Sequence, residues 1–208
     1  MRLLTWLRNI SISLLALVAP ARETEKLVAA LTPTQLRALQ KGPSSLGLLS
    51  YDTKEVAALV WEVKYYANAR AVALACVFLE EAVLTVCEET LGTPLLVPIP
   101  SHPRRLRARG HSQTRLMCDA VAHSLGDNVE YMPEALKKVR DTRPQQGLSR
   151  EKRLHNVLHS MKASPDVSGR VCIVLDDVAT TGATMEEATR ALKEAGASDV
   201  LPIALASV

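Results

Sequence analysis

Val171-Cys172-Ile173-Val174-Leu175-Asp176-Asp177-Val178-Ala179-Thr180-Thr181-Gly182-Ala183-Thr184 is the stretch on which the reading of the chain turns. The apolar run Val171–Leu175 predicts a buried strand that leads into two adjacent acids. A loop of small and hydroxylated residues follows, and Thr184–Ala195 predicts a helix with Met185, Ala188, Ala191, Leu192 and Ala195 on one stripe. Gly196 stands where glycine commonly ends a helix. In open α/β sheets ligands bind just past the carboxyl ends of strands. The first free N–H groups of a helix, with its dipole, receive an anion. Thr180, Thr181 and Thr184 add hydroxyl donors, and Gly182 lets the backbone approach a phosphate with no Cβ in the way. Val178, Ala179 and Ala183 complete the phosphate cradle.

Asp176 and Asp177 repel one another, which argues against a purely structural role. Beside an expected phosphate they are poor ligands for it. They suit hydrogen bonds from ribose hydroxyls, or contact with Mg²⁺ through water. Acids followed by a threonine-rich cradle therefore read as a phosphorylated-sugar site. The stretch is neither G-x-x-x-x-G-K-[ST] nor G-x-G-x-x-G, so the usual nucleoside-triphosphate and dinucleotide motifs are absent.

Outward from this stretch, strands alternate with helices. Leu95–Ile99 is a short apolar strand bounded by prolines. Ser112 caps a helix through Leu125 with Leu116, Met117, Ala120 and Val121 facing inward. Ala135–Val139 is a weaker strand, and Val200–Ala204 is the last. Upstream, Leu48–Tyr51 is a short strand, and Thr53 caps a helix to about Tyr66 with Val56, Leu59, Val60 and Val63 on one face. A helix over roughly Arg70–Leu91 is apolar on most sides in its first half. This pattern predicts a parallel α/β sheet with right-handed crossovers.

Residues 1–45 read as a small helical extension ahead of an α/β domain over 46–208. Thr32-Pro33-Thr34-Gln35 starts a helix, and Lys41-Gly42-Pro43-Ser44-Ser45 is the linker. Arg2 and Arg8 before the apolar run Ile10–Ala19 mimic a secretory leader. Ser11 and Ser13 interrupt that run, however, and Trp6, Leu7, Ile10, Leu14 and Leu17 recur at helical spacing, which predicts an amphipathic helix. Ala71–Leu79 is too short to span a bilayer, so no membrane association is expected.

Composition narrows the function classes. Of 208 residues, 48% are apolar and only 3% aromatic, so the core is built from aliphatic side chains. That disfavours a β-sandwich or an RNA reader that works by stacking. The net charge is +3, but residues 104–153 hold twelve Lys/Arg against six Asp/Glu. A local basic zone on a near-neutral body suggests an anionic small ligand over a long nucleic acid. Cys76, Cys87, Cys118 and Cys172 form no C-x-x-C pair and sit among apolar neighbours, as buried thiols of a cytoplasmic protein would.

Asp176–Thr184 resembles the 5-phosphoribosyl-1-pyrophosphate (PRPP) binding motif of type I phosphoribosyltransferases. Two further segments, 97–113 (VPIPSHPRRLRARGHSQ) and 143–157 (RPQQGLSREKRLHNV), resemble the competence protein ComF branch of that superfamily. Lys64, within Trp61–Tyr65, also resembles a lysine found early in those proteins, and the likeness runs from about Leu48 to Val208. It implies the type I phosphoribosyltransferase fold, and a Mg²⁺-dependent transfer of phosphoribosyl to an unidentified acceptor base with release of pyrophosphate. It implies that Asp176 and Asp177 contact the ribose 2′- and 3′-hydroxyls and that Val178–Thr184 hold the 5′-phosphate. Pro100, Ser101, His102, Arg104 and Arg105 fall on the pyrophosphate loop. With the acid pair, Arg104 and Arg105 are the candidate catalytic residues. The basic stretch 140–153, with Arg140, Arg143, Gln145, Arg150 and Arg153, corresponds to the flexible loop that closes over PRPP.

The metal would have no direct protein ligand, reaching Asp176 and Asp177 through PRPP and water. His111 and His155 read as structural or solvent-exposed. Relatives often carry an N-terminal Cys₄ zinc ribbon, and residues 1–45 contain no cysteine, so that module is expected to be absent or replaced by helices. The family's Arg-Gly-Phe-Asn-Gln pattern stands as Arg109-Gly110-His111-Ser112-Gln113. The rival reading is a non-catalytic PRPP- or nucleotide-binding accessory of DNA uptake, acting through partners such as a helicase and without sequence-specific contact to nucleic acid. A homodimer through the N-terminal helix is the expected assembly.

Overall fold

The computed structural model describes residues 21–42, 45–140 and 157–208; within these, the side chains of Arg105 and Ala108 are not described. In chain order the elements are α1 (Glu23–Ala30), α2 (Pro33–Arg37), β1 (Gly47–Ser50), α3 (Lys54–Tyr66), α4 (Ala69–Glu89), β2 (Leu95–Pro98), α5 (Pro103–Arg109), α6 (Gln113–Leu125), β3 (Glu130–Tyr131), β4 (Leu136–Lys138), β5 (Met161–Ala163), β6 (Val171–Ala179), α7 (Ala183–Glu194) and β7 (Asp199–Ser207).

Local chemistry starts several of the helices where the sequence predicts. Thr32 and Gln35 form a reciprocal capping box ahead of α2. Thr53 accepts from Val56 N–H at the start of α3, and Asn68 Oδ1 accepts from the N–H groups of Arg70 and Ala71 at the start of α4.

The strands form one five-stranded sheet in the order β1-β7-β6-β2-β3, every neighbour parallel. On one face Leu96, Ile173, Leu175, Ile203 and Leu205 pack with Leu59 of α3, Phe78 and Leu79 of α4 and Met117 and Val121 of α6. On the other face Leu95, Val97, Cys172 and Val174 pack with Met185, Ala188 and Leu192 of α7. Alternate residues of β2 and β6 thus enter opposite cores, which explains why both strands read as unbroken apolar runs.

β6 and β7 are each nine residues long, well beyond their apolar runs. Parallel pairing continues through Val178 with Ala206 and Ala179 with Ser207. Asp176 and Asp177 therefore lie within β6, which runs four residues past the expected strand Val171–Leu175, because the backbone ladder outlasts the apolar side chains. Ala135–Val139 is corrected too: β4 stands outside the main sheet and pairs antiparallel with β5. α5, β3 and β5 escape the sequence reading because each is too short to show a period. In α6 the buried stripe is Thr114, Met117, Cys118 and Val121, with Leu116 only half-buried. Thr114 Oγ1 donates to Ile99 O at 2.8 Å, which sets the helix rotation.

Val28, Leu31 and Leu36 of the N-terminal segment join the same core as α3 and α4. The tie is reinforced at Glu62, whose fully buried carboxylate accepts from Arg22 Nη2 at 2.9 Å, Thr24 Oγ1 at 2.6 Å and Asn68 Nδ2 at 3.1 Å. Across the expected linker, Lys41 N–H donates to Leu48 O and Ser50 N–H donates to Leu39 O, each at 2.9 Å. The amphipathic helix expected from the spacing of Trp6, Leu7, Ile10, Leu14 and Leu17 lies outside the described residues. No helix among the described residues is long and apolar enough to cross a membrane.

The crossovers place the site. From β2 the chain leaves through α5 and α6 to β3 on one side, and from β6 through α7 to β7 on the other. The carboxyl ends of β2 and β6 therefore flank a topological switch point, where such sheets bind ligands.

Candidate functional site

Asp176 and Asp177 sit at this switch point, 8% and 7% exposed. Their carboxyl groups lie close enough to act on one another directly. Asp177 Oδ2 meets α3 and α6: Lys64 Nζ stands 3.7 Å away and Gln113 Nε2 donates to it at 3.2 Å. Asp176 instead lines an open depression with Val178–Met185. Each carboxylate also accepts from the next backbone N–H, Asp177 N–H to Asp176 Oδ1 and Val178 N–H to Asp177 Oδ1, both at 2.9 Å. Burial, and then the charge of Asp177, pushes the Asp176 carboxyl well above its usual value, with Lys64 pulling the other way. A buried acid pair under this stress, at the mouth of a depression, marks a functional site more than a packing one.

The depression is open to solvent and encloses only about 10 Å³, far below the ~300–1,000 Å³ of pockets that enclose a drug-sized ligand. It suits one charged group of a larger molecule. Thr180, Thr181 and Gly182 form its floor and turn into α7. Gly182 occupies the N-cap position in the left-handed region, at φ 79°, and no side chain caps the helix. A Cβ there would stand 3.1 Å from Leu46 Cδ1. Thr181 Oγ1 is buried with no hydrogen-bond partner, one of two such side-chain atoms among the described residues, with Ser160 Oγ the other. Buried polar atoms are normally satisfied, so an orphan hydroxyl beside an uncapped helix N-terminus fits a phosphate oxygen.

Across the switch point, His102 caps α5, its Nδ1 accepting from Arg104 N–H at 3.2 Å. A hydroxyl chain runs from Ser101 Oγ to Ser112 Oγ at 3.5 Å, on to Thr114 Oγ1 at 3.0 Å, and ends on Ile99 O. Ser112 thus occupies the N-cap of α6 without capping it. His111 Nε2 lies 3.1 Å from Val63 O, a tether between the start of α6 and α3.

Residues 119–207 match the phosphoribosyl transferase domain. The DNA utilization protein YhgH of Salmonella typhi is 32% identical over 170 residues, which span 79% of this chain and 73% of that protein. Competence protein F of Haemophilus influenzae is 26% identical over 108 residues, half of this chain and 46% of that protein. The chain belongs to the ComF family of type I phosphoribosyltransferase folds. Among solved structures, adenine phosphoribosyltransferase from Thermoanaerobacter pseudethanolicus is 12% identical over 85% of this chain and all of that one, with a TM-score of 0.44.

In this ComF-family chain the structure brings together Lys64, Asp176, Asp177 and the turn Thr180–Thr184. Ser101 and His102 belong to the facing segment at the end of β2. Arg104, read as a loop residue, is corrected: the backbone of 103–109 is helical, because Pro103 and the His102 cap start α5, and the Arg104 side chain is exposed. Arg105 shares that helix, and its side chain lies outside the described residues. Arg140 follows β4 and donates to Leu158 O at 2.7 Å. Arg143, Gln145, Arg150 and Arg153 lie outside the described residues, as does His155. Gln113 is the contact to the acid pair that the sequence reading left unassigned. Its place at the first position of α6, next to a switch-point strand end, is the signal that would have found it.

Proposed function

We propose that this chain binds PRPP and transfers its phosphoribosyl group to a nitrogenous base, releasing pyrophosphate. The observation that carries this is the turn Thr180–Gly182, with its orphan Thr181 hydroxyl at the N-terminus of α7, set beside the buried pair Asp176–Asp177. The N–H groups of α7 and the threonine hydroxyls would hold the 5′-phosphate. The two carboxylates would accept from the ribose hydroxyls. The segment Pro100–Arg105 would face the pyrophosphate, and Arg140 with the loop that follows would cover it. The bond from the anomeric carbon to the pyrophosphate oxygen breaks as the bond to the base nitrogen forms, and the nitrogen's proton leaves to solvent. Charge gathers on the leaving pyrophosphate and an oxocarbenium-like sugar, so fixed cations and a water-excluding cover are the main aids.

Mg²⁺ fits as a companion of PRPP. Asp176 and Asp177 would meet it through water. Bound with PRPP, it supplies positive charge to the departing pyrophosphate. The four cysteines are free thiols, which favours a cytoplasmic setting.

The test is a calorimetric titration of PRPP with Mg²⁺ on the wild type and on Asp176→Asn/Asp177→Asn. Saturable binding that disappears in the double variant supports the reading, and a folded wild type that binds no PRPP overturns it. A second reading, an accessory of DNA uptake working through a helicase or another protein partner, is favoured by the names of the relatives, a DNA utilization protein and a competence protein. Direct contact with a DNA backbone would show as affinity falling steeply with salt and unchanged in the double variant.

A further inference from the structure

The chain has two Trp, four Tyr and one Phe, and α3 exposes three of these rings. Trp61, Tyr65 and Tyr66 are 46%, 40% and 46% exposed. An aliphatic core has no need of them, and three rings left in water on one helix require a reason. Arg22 lies over Tyr66, 3.5 Å from its centroid, which ties that ring to the α1 clasp. Trp61 and Tyr65 are different. They are one helical turn apart, with centroids 4.3 Å from each other and planes at 44°. The Arg109 guanidinium lies over Tyr65, 4.9 Å from its centroid.

This cluster is joined to the ribose-phosphate site by two routes. Lys64, the residue before Tyr65, reaches Asp177 at 3.7 Å. Arg109 Nη1 donates to Gln113 Oε1 at 3.4 Å, and Gln113 Nε2 donates to Asp177 at 3.2 Å. α3 and the end of α5 thus hold a π surface and a guanidinium plane beside the acid that would meet the ribose. Aromatic faces and arginine planes are the groups on which bases stack, and they do so with little regard to ring identity.

We propose that Trp61, Tyr65 and Arg109 form the platform for the acceptor, and that the acceptor is a planar heteroaromatic base that stacks on it. The proposal rests on the ribose-phosphate reading of Asp176 and Asp177. Gln113 and Lys64 act as positioning residues that fix the platform relative to the acids.

The test uses the full chain with Trp6→Phe, so that Trp61 is the only indole. PRPP affinity is measured first by calorimetry with Mg²⁺. Adenine, hypoxanthine and uracil are then titrated in the presence of Mg²⁺, pyrophosphate and ribose 5-phosphate, with Trp61 emission as the readout. Saturable quenching by at least one base is expected. Tyr65→Leu should weaken that base by roughly tenfold and leave PRPP affinity within about twofold. Trp61→Leu, followed by calorimetry, should do the same. If PRPP binds but no base does, or if base affinity ignores both substitutions, the platform is overturned while the PRPP reading stands. If a folded protein binds neither PRPP nor base, the PRPP reading fails and the platform with it. A dimer by light scattering that Trp61→Ser/Tyr65→Ser dissolves would assign the face to a second copy and also overturn the proposal.

Discussion

Lys64 Nζ stands 3.7 Å from Asp177 Oδ2, the only cation paired with the acids of β6 among the described ion pairs. It also draws down the raised Asp176 carboxyl. Removing this charge as Lys64→Met leaves two buried carboxylates facing one another with less compensation. The loss of stability should grow as pH rises through the folded Asp176 value, because more of that carboxyl is then ionised. Thermal melts of wild type and variant across that titration check the sign.

Asp176→Asn should stabilise the protein and abolish ligand binding together. The folded carboxyl titrates above its unfolded value of about 3.9. Its contribution to stability is therefore full below that value and is lost as pH rises through the folded one. The amide carries no such penalty. At pH 7–8 the variant should be more stable by about 1 kcal/mol or more, several degrees in Tm for a chain of this size. Its Tm should also fall less than that of the wild type as pH rises. Melts paired with a PRPP titration read both effects.

The clasp at Glu62 runs in the opposite direction. Burial pushes this carboxyl up, but hydrogen bonds from Arg22, Thr24 and Asn68 outweigh it and hold it below its usual value. Stability from this group is present above the unfolded value of about 4.3 and is lost as pH falls through the folded one. Arg22→Ala should cost about 1.5–3 kcal/mol at pH 7 and less near pH 3. Hydrogen exchange should show α1 loosening before the sheet does.

Gly182→Ala tests the turn. A side chain at φ 79° costs ~1–2 kcal/mol, and its Cβ would press on Leu46 Cδ1 at 3.1 Å. Pairing it with Leu46→Ala should recover the part due to the contact and not the part due to the backbone. Denaturant midpoints of the two variants separate the two components.

Much of this was legible in the residues. Thr53, the stripe of Met185, Ala188 and Leu192, and Gly196 placed α3 and α7 nearly to the residue, since caps and periodicity are local chemistry. The acid pair and the threonine turn were legible for the same reason. What was not legible depends on partners distant in sequence. β6 runs through its two acids only because β7 continues beside it to Ser207. β4 left the main sheet because it pairs with β5, a three-residue strand that no periodicity reveals. Gln113 touches Asp177 across 64 positions, and its place at the start of α6 points to the site only once the strand order is known.

Gly47 lies against β7 so closely that a Cβ would stand 2.3 Å from Ala206 C, and β7 in turn is matched to β6 residue by residue from Val171 to Ala179. The alignment of these three strands is therefore locked at its edge, and the length of β6 becomes a coding constraint in its own right. One residue inserted or deleted between Val171 and Asp176 would move both carboxylates one place along the ladder, out of step with Lys64 on α3 and with the threonine turn. Along this strand, drift in identity and drift in length are not equivalent: an aliphatic exchange leaves the geometry standing, while a single codon gained or lost displaces both acids at once.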